Sequence, residues 1–116
     1  MAIIRIKNLK VNTIIGFNPE ERINKQDVII NAEIEADIAD AIQSDDTQYI
    51  YDYKAVKKSI INMVEKSQFM LLERLTNEIL MLIMADTRVV RAKVEVDKPY
   101  ALRYADSVSV EIEAKR

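Results

Sequence analysis

Residues 2–15 alternate between apolar and polar positions with the period of two that marks a half-buried strand. Ile4 and Ile6 hold one phase, and Leu9, Val11 and Thr13 hold the other. The slip near Asn8 predicts a bulge or sharp twist, because one extra residue sends every later side chain to the opposite face. Residues 27–38 alternate without interruption: Ile30, Ala32, Ile34, Ala36 and Ile38 against Asn31, Glu33, Glu35 and Asp37. Residues 89–97 repeat the pattern with Val90, Ala92, Val94 and Val96 inward, and residues 107–114 do so with Val108, Val110 and Ile112. Apolar-in, polar-out alternation of this kind belongs to antiparallel strands with one face on a core. Between the second and third strands the period lengthens to that of a helix. Val56, Ile60, Met63 and Val64 give the stripe of a helix over 53–66, with Asp52 placed to cap it. Leu72, Leu75, Ile79 and Leu82 give a second helix over 69–84, whose last turns are apolar all round and so demand burial on more than one side. The order ββααββ predicts an α+β fold, a four-stranded antiparallel sheet with two helices on one face.

The connections carry further information. Residues 16–26 hold the only glycine and one of the two prolines, and form a loop too long for a simple hairpin, a length that often serves function. Residues 39–50 are polar and read as a connecting loop, and residues 98–106 join the last two strands. All four strands keep a polar second face, and a four-stranded sheet has two open edges that tend to pair. With the very apolar second helix, this predicts an oligomer whose sheets continue from chain to chain, enclosing a wet interior if the ring closes.

The chain has 116 residues, enough for one domain with a core. Hydrophobic residues at 49% and charged residues at 31% are globular proportions, and a net charge of -2 points to neither nucleic acid nor a membrane surface. There is no cysteine and no histidine. Thiol catalysis, His-based general bases, Ser-His-Asp triads and ordinary catalytic zinc are therefore excluded. Any catalyst must be assembled from Glu, Asp, Lys, Tyr and Arg. The chain opens directly on a strand pattern and no apolar run reaches membrane-spanning length, so a cytoplasmic location is expected.

Several residues stand out as candidates. Glu73 directly follows two leucines at the start of the second helix. It reads either as a solvated carboxylate beside Arg74 and Asn77, or as the anchor of a cationic or amide-bearing ligand. Glu21 and Gln26 lie in the glycine-proline loop, Tyr53 opens the first helix, and Lys98 ends a strand immediately before a proline, with Arg103 and Tyr104 following. Taken singly, the strand-end lysine and loop glutamate read first as solvated surface residues, and Tyr53 as a helix-end staple. Lys54, Lys57 and Lys58 crowd the start of the first helix, the end at which the helix dipole disfavours cations; they form either a solvated basic face or a site with another purpose.

The loop 16–26, the pair Asp52-Tyr53, the triplet Leu71-Leu72-Glu73 and Lys98-Pro99, collinear over essentially the whole chain, resemble the dihydroneopterin aldolase family. Residues 3–9 and 101–109 look more like its dihydroneopterin triphosphate 2'-epimerase branch, as does Ile15, which stands where the aldolases usually carry a histidine. The resemblance implies the tunnelling fold (T-fold), as a single domain over residues 1–116. It also implies assembly into octamers of two stacked tetrameric rings, with sites between subunits and no cofactor or metal. Glu73 matches the carboxylate that anchors the pterin, with Leu72 beside it. Lys98 matches the catalytic lysine, Tyr53 the tyrosine that positions and protonates the side chain, and Glu21 the loop glutamate, with Gln26 its companion. The implied reaction is epimerisation at C2' of dihydroneopterin triphosphate by retro-aldol and aldol steps, with Lys54, Lys58 and Arg103 as expected triphosphate ligands. The alternatives are an aldolase that releases glycolaldehyde, and a non-catalytic ring that binds pterins or purines. The first would need the same residues, and the second Glu73 without Lys98 or Tyr53.

Overall fold

The computed structural model describes residues Met1–Arg116. Strand β1 (Ala2–Thr13), the short helix α1 (Pro19–Ile23), β2 (Gln26–Ala36), α2 (Ala39–Ser44), α3 (Tyr53–Lys66), α4 (Leu72–Met84), β3 (Val89–Pro99) and β4 (Ser107–Lys115) follow in that order. The four strands form one sheet in the order β1-β2-β3-β4, with every neighbouring pair antiparallel. The ββααββ frame stands as the alternation predicts.

The bulge in β1 also lies where the phase slips. The register of β1 on β2 shifts between Ile6 and Leu9, and Asn8 takes a positive φ of 55°. Its N–H donates to Asn31 Oδ1 at 2.9 Å. The bulge returns Leu9 and Val11 to the face already used by Ile4 and Ile6, so all four oppose core residues of β2.

Helices α3 and α4 cover one face of the sheet, α3 over β1 and α4 over β3 and β4. Between them and the sheet lies a core that includes Val28, Ile30, Ile34, Val94 and Val96 from the strands and Ile60, Val64, Leu75, Ile79 and Ile83 from the helices. Burying each of these branched side chains contributes on the order of 1.5–3 kcal/mol before entropy is counted. Asp52 caps α3 as predicted, its Oδ1 accepting from the Ala55 N–H at 3.0 Å. The opposite face is a charged ladder. Arg91 pairs with Glu33 at 2.8 Å, Glu35 at 3.0 Å and Glu113 at 3.2 Å.

Four expectations need correction. Residues 39–50 are not simply a loop: they hold α2 and a 3-10 turn over Thr47–Tyr49. Neither buries a residue, so no apolar period announced them. The glycine-proline loop contains α1. The second long helix begins at Leu72, three residues later than its apolar pattern. In β3 the core position at the start belongs to Val89, not Val90, because the register on β2 skips a residue between Glu35 and Ala36.

The molecule is elongated, 52 × 24 × 21 Å. The β1 C-terminus, the β2 N-terminus and Lys98 share one end of the sheet, while Ala2, Ala36 and Val89 share the other. Helix α3 runs towards the Lys98 end, where Thr13 Oγ1 donates to the Val64 carbonyl at 2.6 Å, and α4 runs back. No helix is long and apolar enough to cross a membrane.

Candidate functional site

At the Lys98 end, the loop after β1 folds back on the end of β3. Lys98 Nζ lies 2.5 Å from Glu21 Oε2, and the two side chains are only 14% and 18% exposed. Gln26 Nε2 donates to the same Glu21 oxygen at 3.1 Å and to the Ile15 carbonyl at 2.8 Å. The Asn18 N–H donates to Glu21 Oε1 at 3.3 Å. Partial burial alone would push the Glu21 carboxyl up; the Lys98 hydrogen bond, the Gln26 amide, the Asn18 N–H and the Lys98 charge together outweigh it and hold the group below the ordinary glutamate range. The pair thus keeps a cation and a carboxylate, one a proton donor and one a proton acceptor, side by side and mostly shielded from solvent.

Gly16 makes this possible. Its φ is +115°, and a Cβ there would stand 2.2 Å from Glu21 Cδ and 2.3 Å from each carboxylate oxygen. The carboxylate sits in the space that any other residue would fill. The loop is joined to the segment ahead of α4: the Gly16 N–H donates to the Phe69 carbonyl at 3.1 Å. Two residues past the Phe69-Met70-Leu71 lead comes Glu73, exposed in the first turn of α4. No side chain caps α4. The Arg74 N–H donates to the Leu71 carbonyl at 3.1 Å, which leaves the Leu72 and Glu73 N–H groups without a backbone acceptor, and the positive end of the helix dipole favours the Glu73 carboxylate. Leu72 itself is buried against the core. Arg74 turns away from Glu73 to pair with Glu78 at 2.8 Å.

Glu21, Gln26 and Lys98 are therefore in contact, and Leu72 and Glu73 lie at the same end of the molecule. Tyr53, Lys54 and Lys58 are not there. Tyr53, 48% exposed, opens α3 at the opposite end. Just before it, the Ile50 carbonyl accepts from Arg88 Nη1 at 3.2 Å and the Arg88 guanidinium lies 5.8 Å from the Tyr51 ring centre. Arg88 precedes β3 and Lys98 is ten positions further along it, so Tyr53 and Lys98 of one chain stand on the order of 30 Å apart. Arg103 is exposed in the turn after Lys98, its guanidinium 5.7 Å from the Tyr104 ring centre. It too is separated from Lys54 by roughly the length of the sheet, while Lys58 lies four residues further along α3.

Two features escaped the sequence reading. Arg22 reaches three backbone carbonyls of this region, and Gly16 serves as a cradle rather than a simple turn. The first helix of the loop had a legible signal: Asn18-Pro19 followed by Glu21 is the start signature of a capped helix with proline in its first turn.

A family profile described as dihydroneopterin aldolase matches residues 4–113. The chain is 48% identical over 116 residues to a dihydroneopterin triphosphate 2'-epimerase of Pseudomonas aeruginosa, covering 100% of this chain and 94% of that protein. It is 45% identical over 115 residues to the enzyme of the same name from Escherichia coli K12, covering 99% and 96%. The crystal structure of E. coli dihydroneopterin aldolase in complex with neopterin superposes with a TM-score of 0.92 at 30% identity, covering 98% of this chain and 99% of that one. The α+β sheet-and-two-helix architecture is thus the tunnelling fold, and the chain belongs to the dihydroneopterin aldolase family.

Proposed function

We propose that this protein converts 7,8-dihydroneopterin triphosphate to 7,8-dihydromonapterin triphosphate by inverting C2', without a metal or cofactor. The observation that carries the reading is the sheltered Lys98–Glu21 pair at the end of the sheet where α4 presents Glu73. Full-length identity of 48% to a dihydroneopterin triphosphate 2'-epimerase favours the epimerase over the aldolase outcome. In this reading the Glu73 carboxylate accepts two N–H donors from the amino-pyrimidinone edge of the pterin, a charge-assisted bidentate pair. The free N–H of Leu72 donates to the ring carbonyl. Lys98 hands its ammonium proton to the adjacent Glu21 carboxylate and then, directly or through water, takes the proton of the 2'-hydroxyl. The C1'–C2' bond then breaks, C2' becomes an aldehyde, and the electron pair passes through C1' to the N5=C6 imine, with Tyr53 protonating the pterin fragment. Rotation of the aldehyde and reversal of the same steps re-form the bond with C2' inverted. Glu21 orients Lys98, and Gln26 orients Glu21.

Lys98 and Tyr53 cannot serve one substrate from one chain across a distance on the order of 30 Å. The reading therefore requires each site to lie between subunits, and the assembly it takes is an octamer of two stacked rings. There Lys54 and Lys58 of one copy approach Arg103 of another and bind the triphosphate, tethering the aldehyde so that it re-adds before it escapes. The protein acts in the cytoplasm on a free pterin. Purified protein incubated with dihydroneopterin triphosphate and, separately, with dihydroneopterin tests the reading by chromatography of the products. The 2'-epimer with little glycolaldehyde is expected from the triphosphate. Dominant glycolaldehyde and 6-hydroxymethyl-dihydropterin would make the protein an aldolase, and pterin binding without turnover would leave a binding ring.

A further inference from the structure

Arg22 neighbours the site glutamate and spends its guanidinium on backbone carbonyls. Nη1 donates to the Gly16 carbonyl at 3.0 Å and to that of Phe69 at 3.4 Å, while Nη2 donates to the Gln68 carbonyl at 2.9 Å. One side chain thus ties three points together: the start of its own loop and two residues of the segment that leads into α4. The loop has few other anchors. Helix α1 is five residues long and buries none of them. A helix that short does not hold itself. The apolar side chains on either side, Phe17 and Ile23, are 68% and 79% exposed. Beyond the Gly16 N–H bond to Phe69, only the Glu21 carboxylate and Arg22 fasten the loop to the body.

We propose that Arg22 is a positioning residue for the Lys98–Glu21 pair: its guanidinium fork clamps residues 16–22 to the lead of α4 and so fixes Glu21 against Lys98 and in register with Glu73. The inference rests on the catalytic reading of that pair given above. The α4 side is firm, since Phe69 packs against the core and Leu72 is buried in it. Losing the fork therefore releases the loop and leaves Glu73 in place. The geometry also calls for arginine: a planar fork with five fixed donors spans Gly16 and Gln68 together, whereas a lysine ammonium serves them only one at a time.

Arg22→Ala and Arg22→Lys test this in the assembled protein. Neopterin affinity, read by fluorescence titration, is expected to stay within about threefold of wild type, because Glu73 is untouched. Turnover of dihydroneopterin triphosphate is expected to fall about 10²-fold in Arg22→Ala, the scale of a 1 Å misplacement, with Arg22→Lys between the two. The acidic limb of the pH–rate profile moves to higher pH in Arg22→Ala as Glu21 loses Lys98. Unchanged turnover, or turnover and neopterin affinity lost together with the melting temperature, would overturn the assignment. Should wild type itself fail to turn over the triphosphate, the functional reading falls, and the clamp is judged without substrate. Amide exchange in residues 17–25 should then rise in Arg22→Ala while α4 stays protected, and the Glu21 carboxyl should titrate closer to an ordinary glutamate. If neither moves, Arg22 holds nothing.

Discussion

Replacing Gly16 with alanine perturbs the candidate site at one atom. At φ +115° a non-glycine residue lies outside its allowed regions, a strain worth on the order of 1–3 kcal/mol. The new Cβ also meets the Glu21 carboxylate at 2.2–2.3 Å, far inside contact distance. The carboxylate is the end of a flexible side chain and can swing away, but only by leaving Lys98, Gln26 and the Asn18 N–H. A sheltered charge-assisted hydrogen bond of this kind contributes about 1.5–3 kcal/mol. The two costs together predict a loss of about 2.5–6 kcal/mol. An unfolding entropy of about 2.1 cal/mol/K per residue converts that, for 116 residues, to a fall of roughly 10–25 °C in Tm. Calorimetry at one fixed protein concentration for both proteins reads it, since Tm of an assembly depends on concentration. Turnover should fall in parallel by about 10²-fold, because Glu21 no longer orients Lys98. The double mutant separates the terms. In a Glu21→Ala background the carboxylate atoms nearest the new Cβ are gone, so Gly16→Ala should cost little beyond the backbone strain. An equal cost in both backgrounds, or a neutral Gly16→Ala in wild type, would refute the cradle.

Further outcomes follow from the same geometry. Glu73→Ala should weaken neopterin binding by about 10²-fold or more while leaving Tm nearly unchanged, since the side chain is exposed and packs against nothing that folding needs; fluorescence titration and calorimetry read the two. Lys98→Met should abolish product formation yet retain neopterin binding, which the same titration checks. Glu21 is held low in the folded state, so its contribution to stability is present above the ordinary value near 4.5 and is lost as pH falls through the folded value. Glu33, lowered first by its Arg91 hydrogen bond, and Asp86, lowered first by Arg88, act in the same direction. Urea unfolding from about pH 7 down to about pH 3 should show stability falling, and Glu21→Gln should make that fall shallower.

The parts of the fold that bury side chains were legible in the chain. Alternation in residues 27–38 and 107–114 and the stripes through Ile60 and Ile79 each reflect a face that must leave water, so the period names the element. Helix α2 buries nothing and therefore left no period, and α1 was hidden inside a loop whose length was the more obvious signal. The exchange of Val90 for Val89 at the core turns on a register shift set by the partner strand, which no single segment encodes. At the site, Glu21, Lys98, Glu73 and Tyr53 drew attention through ordered resemblance, because each alone fits a solvated residue. The contact between Glu21 and Lys98 depends on a carboxylate folding into the space over Gly16, and the Arg22 clamp depends on carbonyls 46 and 47 positions away. Both are long-range facts, invisible to spacing. The separation of Tyr53 from Lys98 follows from the length of β3 and the direction of α3, and it turns the expectation of sites between subunits into a geometric requirement of the proposed chemistry.

Subunit mixing tests that requirement most directly. Lys98→Met and Tyr53→Ala proteins, each inactive alone in this account, are unfolded together, reassembled in equal amounts, and assayed for the 2'-epimer of dihydroneopterin triphosphate. If each site takes Lys98 from one copy and Tyr53 from its neighbour, about a quarter of the sites in mixed assemblies hold both native residues, and about a quarter of wild-type epimerisation should return. Mixed assemblies as inactive as their parents would contradict a site shared between copies and, with it, the mechanism proposed for this chain.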